Sequence, residues 1–365
     1  MPEQAGQRFT ARRLNRATLA RQLLLRRSTL GVPAAIEHLV GLQAQAPFPP
    51  YTGLWTRLAD FDPQELGRLL VDRSVVRTAL LRSTVHLVTA ADCLALRPVL
   101  QPVLDRGLRA NFGRRLDGLD LAALATVARE LVERQPRSGK DLGDLLVERW
   151  PDRDRDALAN AARTLLPLVQ VPPRAVWGRT GQTVVTTAEH WLGAPQAEST
   201  PPDDLVHRFL TAFGPATVAD VQKWSGLTRL REVVDRLPLR RFTGPDGEAL
   251  FDVPDAPLPA ADTDAPVRFL PEFDNVHLAY AQGTRIMAAE HRGALMTSNG
   301  IVHAAVLVDG YVRALWRLTR TGPTATLSVE PLGTLARPVR QQIETEGQAL
   351  LGFLAADAVT REIRW

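Results

Sequence analysis

The sequence predicts an α+β protein in which tandem winged helix-turn-helix units precede a C-terminal, β-barrel-like sheet domain. Groups of helices, recognised by apolar residues at helical spacing, are each followed by a β-branched hairpin, and this order recurs three times. The last third of the chain then changes to strand-like alternation. With 365 residues and 45% hydrophobic residues, the chain is long enough for several subdomains.

The first unit is predicted over residues 1–118. Asn15 is expected to cap the helix "RATLARQLLLRR", and Pro33 lies near the start of a second helix, "VPAAIEHLVGLQ". A third helix, "YTGLWTRLAD", precedes a fourth that Asp62 caps and a proline begins. Residues 75–89 are β-branched and roughly alternating, which predicts a short hairpin, and "AADCLALRPVLQPVLDRGLRANF" returns to helix.

The second unit is predicted over residues 119–195. Its helices are "LDLAALATVARELVERQ", "SGKDLGDLLVERW" with Ser138 as the cap, and "DRDRDALANAARTLL" in the recognition-helix position. The segment "LVQVPPRAVWGRTGQTVVTTA" then supplies two strands around a Gly-Arg-Thr-Gly turn. These strands would form the wing.

The third unit, residues 202–254, carries the clearest signals. The tight "WSGLT" turn between the helices "PATVADVQKWSGL" and "TRLREVVDRLPL" is typical of a helix-turn-helix. An earlier helix, "DDLVHRFLTAFG", precedes them, and "TGPDG" would be the turn of the wing.

The C-terminal region, residues 265–365, follows a linker rich in proline, aspartate and alanine at 253–266. The Asp309-Gly310 pair between two apolar runs is a strong hairpin signal. Further strands are predicted in "VRFLPEFDNVHLAY", "TATLSVEPL" and "AVTREIRW", with a long amphipathic helix in "LARPVRQQIETEGQALLGFLAAD". We expect a barrel-like sheet closed by this helix.

Composition excludes several classes of protein. No run of about 18 apolar residues is present, so no transmembrane helix and no membrane partner are predicted. The N-terminal residues have no apolar signal core. The only cysteine, Cys93, rules out an internal disulfide and a cysteine-rich zinc site. These features predict a cytoplasmic location.

Positive charge is concentrated at the start of the chain. Residues 1–118 contain 17 arginines and no lysine against nine acidic residues, whereas the remainder carries a net negative charge. A basic N-terminal third suits a polyanion such as nucleic acid. The alternative is that arginine is merely abundant in this chain.

Two glutamines, Gln43 and Gln45, stand one residue apart in "GLQAQAPFPPYTGLW". In a helix, two such residues would point about 200° apart, but in an extended chain they share a side. Pro47 disfavours helical geometry at the residue before it. We therefore expect the helix to end near Gln43 and both carboxamides to be able to face one point.

The sequence resembles the AlkZ/AlkX-like winged-helix DNA glycosylases, which excise bulky or crosslinked N7-alkylpurines. The resemblance covers nearly the whole chain and is carried by "LVGLQAQAP", "RTALLRSTVHLVTAAD", "FGPATVADVQKWSGL", "RFLPEFDN" and "VLVDGYVRALWR". It implies a monomer that cleaves the N-glycosidic bond, in some members as self-resistance to a DNA-alkylating natural product. The family motif is Gln-x-Gln with an apolar middle residue, or Gln-x-Asp in another branch. Gln43, Ala44 and Gln45 match the first form, and the resemblance implies that Gln43 and Gln45 are catalytic.

Two amides suit an N7-alkylated purine because this base is already cationic and leaves as a neutral molecule. Little acid catalysis is then needed, and the amide carbonyls can position a water while the NH₂ groups contact phosphate or sugar. A bifunctional glycosylase would instead need an amine for a Schiff base. Only Lys140 and Lys223 are lysines, and both fall in predicted helix-turn-helix segments. We therefore expect a monofunctional enzyme, with the N-terminal amine as the possible exception.

Six further residues are candidates for contact with double-stranded DNA. Arg77, Arg82 and His86 lie in the first hairpin, where Arg82 and His86 would share a side of a regular strand. The alternatives are ion pairs for the arginines and a buried, hydrogen-bonded position for His86. A second hairpin tip, around an Asn-Gly turn, could enter a groove. It carries His291, Arg292 and Asn299.

Other features favour structural interpretations. Asp274 and Asn275 are expected to form a turn with side-chain hydrogen bonds. The predicted recognition helices of the second and third units carry as many acids as arginines, so a scaffolding role is favoured over insertion in a major groove. No cofactor, nucleotide or metal motif is present, and the histidines lack ligand spacing. The alternatives to a glycosylase are a winged-helix transcription regulator and a scaffold for protein contacts.

Overall fold

The computed structural model describes residues 8–365, in which helices alternate with short strands. The first segment contains the helices α1 (Ala11–Arg21), α2 (Val32–His38), α3 (Pro49–Trp55), α4 (Pro63–Val71) and α5 (Ala90–Phe112). Its strands are β1 (Leu42–Gln43), β2 (Val75–Ala79) and β3 (Val85–Thr89). The predicted hairpin at 75–89 is therefore confirmed as β2 and β3.

Helix α1 begins earlier than the sequence suggested. Thr10, not Asn15, is the cap, and its hydroxyl accepts a hydrogen bond from the backbone N–H of Arg13. Asn15 lies fully buried inside the helix and donates to the carbonyls of Gly310 (2.8 Å) and Arg285 (3.1 Å). The predicted cap is wrong because the partners of this polar side chain lie far along the chain.

Helix α2 ends five residues before Gln43, at His38. Val40 (φ 54°) and Gly41 (φ 86°) both take left-handed conformations, which end the helix and turn the chain into β1. A Cβ at Gly41 would lie 2.7 Å from Val88 Cγ1, so the close approach of β3 also requires glycine here. The end of the helix thus depends on Gly41 rather than on Pro47.

The second segment contains α6 (Leu121–Arg134), α7 (Gly139–Arg149), α8 (Arg155–Leu165) and α9 (Ala188–Leu192), with β4 (Arg137–Ser138), β5 (Leu168–Gln170) and β6 (Val184–Thr187). Ser138 caps α7 as predicted. The strands of the first two segments form one six-stranded sheet in the order β1-β3-β2-β5-β6-β4. The two predicted wings are thus joined through the pairing of β2 with β5.

The third segment contains α10 (Asp203–Phe213), α11 (Val218–Ser225) and α12 (Arg231–Arg236), followed by the hairpin of β7 (Arg240–Thr243) and β8 (Ala249–Asp252). Thr217 and Asp220 form a capping box at the start of α11, and Gly226 (φ 80°) ends it. Arg21 and Asp252, both buried, form a two-pronged ion pair that joins α1 to this hairpin.

The C-terminal segment does not confirm the predicted barrel. An open five-stranded sheet runs in the order β13-β12-β11-β10-β9, with β13 and β9 at its two edges. The expected helix is present and covers the apolar face of this open sheet, since Ile343, Leu350 and Leu351 of α15 are buried with the strand residues. The elements are β9 (Arg268–Leu270), α13 (Asn275–Leu278), α14 (Arg292–Leu295), β10 (Ala305–Val308), β11 (Tyr311–Thr321), β12 (Thr324–Pro331), α15 (Arg337–Leu354) and β13 (Thr360–Arg364).

The predicted turn at Asp309 and Gly310 joins β10 to β11 with two residues at positive φ. Such a turn matches the twist of the paired strands. No helix within residues 8–365 has the length and apolar character needed to cross a membrane. The same residues contain no group of three or more His, Cys, Asp or Glu side chains that could hold a metal ion. The fold is a mixed α+β fold, as expected.

Candidate active site

The two glutamines lie along the edge of the six-stranded sheet. Gln43 pairs with His86 across β1 and β3, and the N–H of Ala44 donates to the carbonyl of Val85 at 2.7 Å. The chain is therefore extended through the start of the Gln-Ala-Gln motif, the geometry that lets alternate residues share a side. Ala44 is fully buried between them.

Gln43 is 7% exposed and its carboxamide faces the turn between β2 and β3. Its Oε1 accepts a hydrogen bond from Arg82 Nη2 at 2.7 Å. Gln43 Nε2 makes no hydrogen bond within residues 8–365, and it is not among the unpaired atoms sealed from solvent. The amide nitrogen is therefore the part of this side chain that remains available.

Gln45 is exposed, and its Oε1 accepts from the backbone N–H of Val85 at 3.1 Å. Both glutamines thus direct their carbonyl oxygens towards the β2–β3 hairpin. A guanidinium and a backbone N–H can only donate, so the amide atom that faces each of them must be oxygen. This determines which end of each carboxamide is oxygen and which is nitrogen. Each oxygen retains one lone pair, and neither NH₂ group donates a hydrogen bond within residues 8–365.

Asn275 holds the backbone of the motif in place, a role that sequence reasoning missed. Its Oδ1 accepts from the N–H of Gln43 at 3.2 Å, and its Nδ2 donates to the carbonyl of Gly41 at 2.6 Å. The side chain occupies the position that a neighbouring strand would take beside β1. Its partners are more than 200 positions away, so only the motif "LPEFDN" itself gave any signal.

Asp274 fixes the segment that carries Asn275. It caps α13 through Val276 N and receives two hydrogen bonds of 2.8 Å from the guanidinium of Arg57. Burial opposes ionisation of Asp274, but the charge and hydrogen bonds of Arg57 outweigh it and lower the pKa of the carboxyl group. The expected structural turn is present at Asp274, with a buried ion pair that the sequence did not predict.

Arg77 is 2% exposed and lies behind the motif rather than on a DNA-facing surface. It donates to the carbonyl of Ala44 at 2.7 Å and to Gln170 Oε1 at 2.6 Å. Burial lowers the pKa of Arg77 to about 10, so the side chain stays charged at neutral pH. Arg77 lies in β2, which pairs with β5 on one side. The side chain therefore supports the backbone of Ala44 and does not reach an exposed surface, as the expected DNA contact would require.

His86 is fully buried, so the expected contact with DNA is also replaced by a structural position. Its Nδ1 lies 2.9 Å from the carbonyl of Thr84, which requires a proton on that nitrogen. Burial, with the nearby charge of Arg82, lowers the pKa of His86 to about 3. The imidazole is therefore neutral, in agreement with the buried alternative.

Arg82 lies in the turn between the strands and not on a regular strand, with positive φ values at Arg82 (54°) and Ser83 (60°). Its half-buried guanidinium bonds to Gln43 and, through Nη1, to the carbonyl of Trp224 at 2.6 Å. Arg106 donates to the carbonyl of Gly226, the residue at which α11 ends. The C-terminal end of α11 is thus brought directly against the motif.

The second group of predicted DNA-binding residues forms a separate, more exposed feature. Met296 and Val302 form a bridge around a turn, and Asn299 lies exposed at its tip. Arg292 is exposed in α14, while His291 is half-buried. The N–H of Phe273 donates to Val302 O at 3.2 Å, which connects this hairpin to the segment that holds Gln43.

Two further residues lie near the motif, and the sequence predicted no role there for either. Phe48 follows Gln45 by three residues and is 41% exposed, with its ring edge-on to Trp177. Lys223, which the sequence placed apart from the motif, is exposed and directly precedes Trp224, the partner of Arg82. The lysine is therefore nearer to the glutamines than its position in the chain suggests.

Comparisons with known proteins agree on one group. A family model described as DNA glycosylase AlkZ-like matches residues 36–353. A Streptomyces sahachiroi protein named interstrand DNA cross-link repair glycosylase is 23% identical over 336 residues, covering 82% of this chain and 85% of that protein. The solved structure of Streptomyces sahachiroi DNA glycosylase AlkZ superposes with a TM-score of 0.79 at 18% identity, covering 98% of this chain and 99% of the other.

Proposed function

Because the chain belongs to the AlkZ-like family of DNA glycosylases, we propose that it hydrolyses the N-glycosidic bond of N7-alkylated purines in double-stranded DNA, with Gln43 and Gln45 as the catalytic pair. The family makes it a hydrolase of N-glycosyl bonds in DNA and does not support the transcription regulator. The substrates include bulky and interstrand-crosslinked adducts. The Streptomyces sahachiroi relative is named for the repair of interstrand cross-links, which supports this choice of substrates.

One observation carries the proposal: both carboxamides face the same hairpin through their oxygens, and both NH₂ groups remain available. Neither amide can act as a strong acid or base, so the pair suits a reaction that needs positioning rather than proton transfer. An N7-alkylated purine meets this requirement. Its C1′–N9 bond breaks with the electron pair going to N9, which neutralises the cationic base.

Water completes the hydrolysis. Its oxygen adds to C1′ of the oxocarbenium-like sugar, and its proton passes to solvent, which leaves an abasic site. The remaining lone pairs on the amide oxygens can orient this water, and fixed dipoles around it need no reorganisation. Neutral, unmodified purines lack the good leaving group, so we expect them to be poor substrates.

The surroundings of the motif suit a polyanion. Arg77 and Arg82 bond only to carbonyl and amide oxygens, and neither takes part in an ion pair among the described residues. Their uncompensated charge favours the approach of a phosphate backbone. Phe48 adds an exposed ring beside Gln45 on which a nucleobase can pack.

The remaining DNA contacts are assigned to the second hairpin, through His291, Arg292 and Asn299. We propose that the three helix-hairpin segments, residues 1–118, 119–195 and 202–254, are winged-helix units; the first carries the glutamine pair, and the second and third serve as scaffold. The monomeric state is part of the same proposal. Direct contact with DNA by Arg77 and His86 is not, because both side chains are buried.

The test uses the full-length protein with duplex oligonucleotides that carry one N7-methylguanine or one nitrogen-mustard crosslink. Release of the alkylated base and alkali-labile abasic sites are expected. Gln43→Ala and Gln45→Ala should each slow single-turnover release at least about tenfold, a loss of about 1.4 kcal/mol in the transition state. No base release from either duplex, or full activity in both variants, would refute the catalytic assignment.

The proposal also specifies a monofunctional enzyme. Lys140 lies on α7 and bonds to Asp144 at 2.8 Å, so it is engaged elsewhere. Lys223 is the amine to test, since it adjoins Trp224. Borohydride should trap no covalent complex between protein and DNA. A trapped complex that disappears in Lys223→Ala would show lyase chemistry instead.

A further inference from the structure

The two glutamines have different environments although they share one motif. Gln43 is nearly buried and its oxygen contacts a guanidinium, whereas Gln45 is exposed and its oxygen contacts a backbone N–H. A charged donor polarises an amide more strongly than a neutral one. The NH₂ group of Gln43 is therefore the stronger donor, and the oxygen of Gln45 is the better acceptor.

The charge behind Gln43 has no counter-ion in the described residues. Arg82 bonds to two neutral oxygens, on Gln43 and Trp224, and burial is the cause that lowers its pKa, to about 10. An unpaired, half-buried cation is unfavourable until an anion comes close. The side-chain partner of this guanidinium within the described residues is the amide of Gln43.

The backbone at Arg82 is also strained. A positive φ at a residue with a side chain costs free energy, and the turn contains two such residues, Arg82 and Ser83. This conformation directs the arginine towards Gln43 and the end of α11. The guanidinium is thus held between Trp224 O and Gln43 Oε1, and its hydrogen bond to Gln43 sets the orientation of the amide.

We infer that Gln43 and Arg82 together anchor one phosphate of the damaged strand, whereas Gln45 holds the attacking water. The inference rests on the proposed glycosylase function and assigns different tasks to the two amides. Gln43 donates to a phosphate oxygen, and Arg82 is a positioning residue that orients and polarises Gln43. Gln45 retains an uncharged environment in which a lone pair can accept from water.

This division resolves an electrostatic conflict at the site. The sugar becomes positive as the base leaves, and a lone cation near C1′ would oppose that step by Coulomb repulsion. A phosphate held at Gln43 offsets the charge of Arg82 and places a negative charge near the sugar. Gln45 lies two residues further along the chain, and its oxygen accepts from a backbone N–H rather than from a cation.

A phosphate scan tests the anchor. Each phosphate flanking a single N7-methylguanine is replaced in turn by a neutral methylphosphonate, and single-turnover base release is measured. At one position the wild type should slow at least about tenfold. The same replacement should change Gln43→Ala and Arg82→Gln less than about twofold, because the interacting partner is already gone.

A pair of variants tests the division of tasks. Gln43→Glu places a carboxylate against the phosphate and should weaken both DNA binding and base release at least about tenfold. Gln45→Ala removes the acceptor for water, so it should slow base release at least about tenfold while leaving DNA affinity within about threefold of wild type. Equal losses of DNA affinity in the two variants, or the opposite order, would overturn the inference.

Arg97→Gln is the matched control, because Arg97 is a buried arginine that likewise bonds to carbonyls, including Thr164 at 2.7 Å, away from the motif. It should lose thermal stability but keep the full phosphate dependence. If the effects of protein and phosphate changes simply multiply at every position, Gln43 anchors no phosphate. If the wild type releases no base at all, the proposed function fails, and this inference falls with it.

Discussion

The side chain of Asn275 accepts the backbone N–H of Gln43 at 3.2 Å and so fixes the strand on which the first glutamine lies. Its amide nitrogen at the same time donates to Gly41 O at 2.6 Å. Both Asn275 and Gln43 are buried, so water does not replace these contacts. The position of the motif therefore depends on the start of helix α13 in the C-terminal segment.

Asn275→Ala should lower both stability and activity. It leaves the N–H of Gln43 and the carbonyl of Gly41 without partners, which costs about 1–3 kcal/mol in the free energy of unfolding. Denaturant unfolding and single-turnover base release measure the two effects. Asn111→Ala is the control, since Asn111 is exposed and bonds only to Gly107 O in its own helix. An unchanged rate of base release in Asn275→Ala would show that Gln43 does not need this support.

Local signals predicted much of this architecture. The hairpin at residues 75–89, the Asp309-Gly310 turn and the cap at Ser138 depend on residues adjacent in the chain, and all three are present. The catalytic role of the Gln-Ala-Gln motif was inferred through the resemblance, and its extended start was predicted from Pro47, whereas Val40 and Gly41 are the residues that end the helix. Structural features that depend on contacts between near neighbours can be predicted from a single sequence.

Contacts between distant segments were not readable. Asn15 was taken for a cap because its real partners, Gly310 and Arg285, lie almost 300 positions away. Arg77 looked like a DNA contact because nothing local shows that β5 covers β2. The expected helix covers the C-terminal sheet, but the sheet is open, because the pairing of distant strands that would close a barrel is not encoded by neighbouring residues.

Asp274→Asn should destabilise the protein strongly at neutral pH. The change leaves the buried guanidinium of Arg57 without its carboxylate, and breaking such a pair costs about 3–5 kcal/mol. The pKa of Asp274 is lowered in the folded state, so its contribution is complete above the unfolded pKa of about 3.9 and is lost as the pH falls through the folded pKa. Urea unfolding should show a large difference from wild type at neutral pH that shrinks in acid. A difference independent of pH would mean that ionised Asp274 does not stabilise the fold.

The pH profile of base release should be flat from about pH 5 to pH 8.5, because no group at the motif titrates there. Burial lowers the pKa of His86 to about 3 and that of His277 to about 4, while Arg82 has a pKa of about 10. The two glutamines do not ionise. Single-turnover rates across this range, with a duplex carrying N7-methylguanine, provide the measurement. An inflection near the ordinary histidine pKa would show that a histidine acts in the reaction.

The comparison of Arg77→Gln with Arg292→Gln separates support of the motif from contact with DNA. Arg77 is buried against Ala44 O, so its replacement should lower the free energy of unfolding by about 1–3 kcal/mol and leave the salt dependence of DNA binding unchanged. Arg292 is exposed beside the second hairpin and bonds only to Gln282 O at 3.2 Å. Its replacement should change stability by less than about 0.5 kcal/mol and reduce the slope of log affinity against log salt by about one, as loss of a phosphate contact does. Binding titrations at several salt concentrations, together with urea unfolding of both variants, test the pair. A reduced slope in Arg77→Gln with unchanged stability would place Arg77 on the DNA, and an unchanged slope in Arg292→Gln would remove Arg292 from the DNA-binding surface.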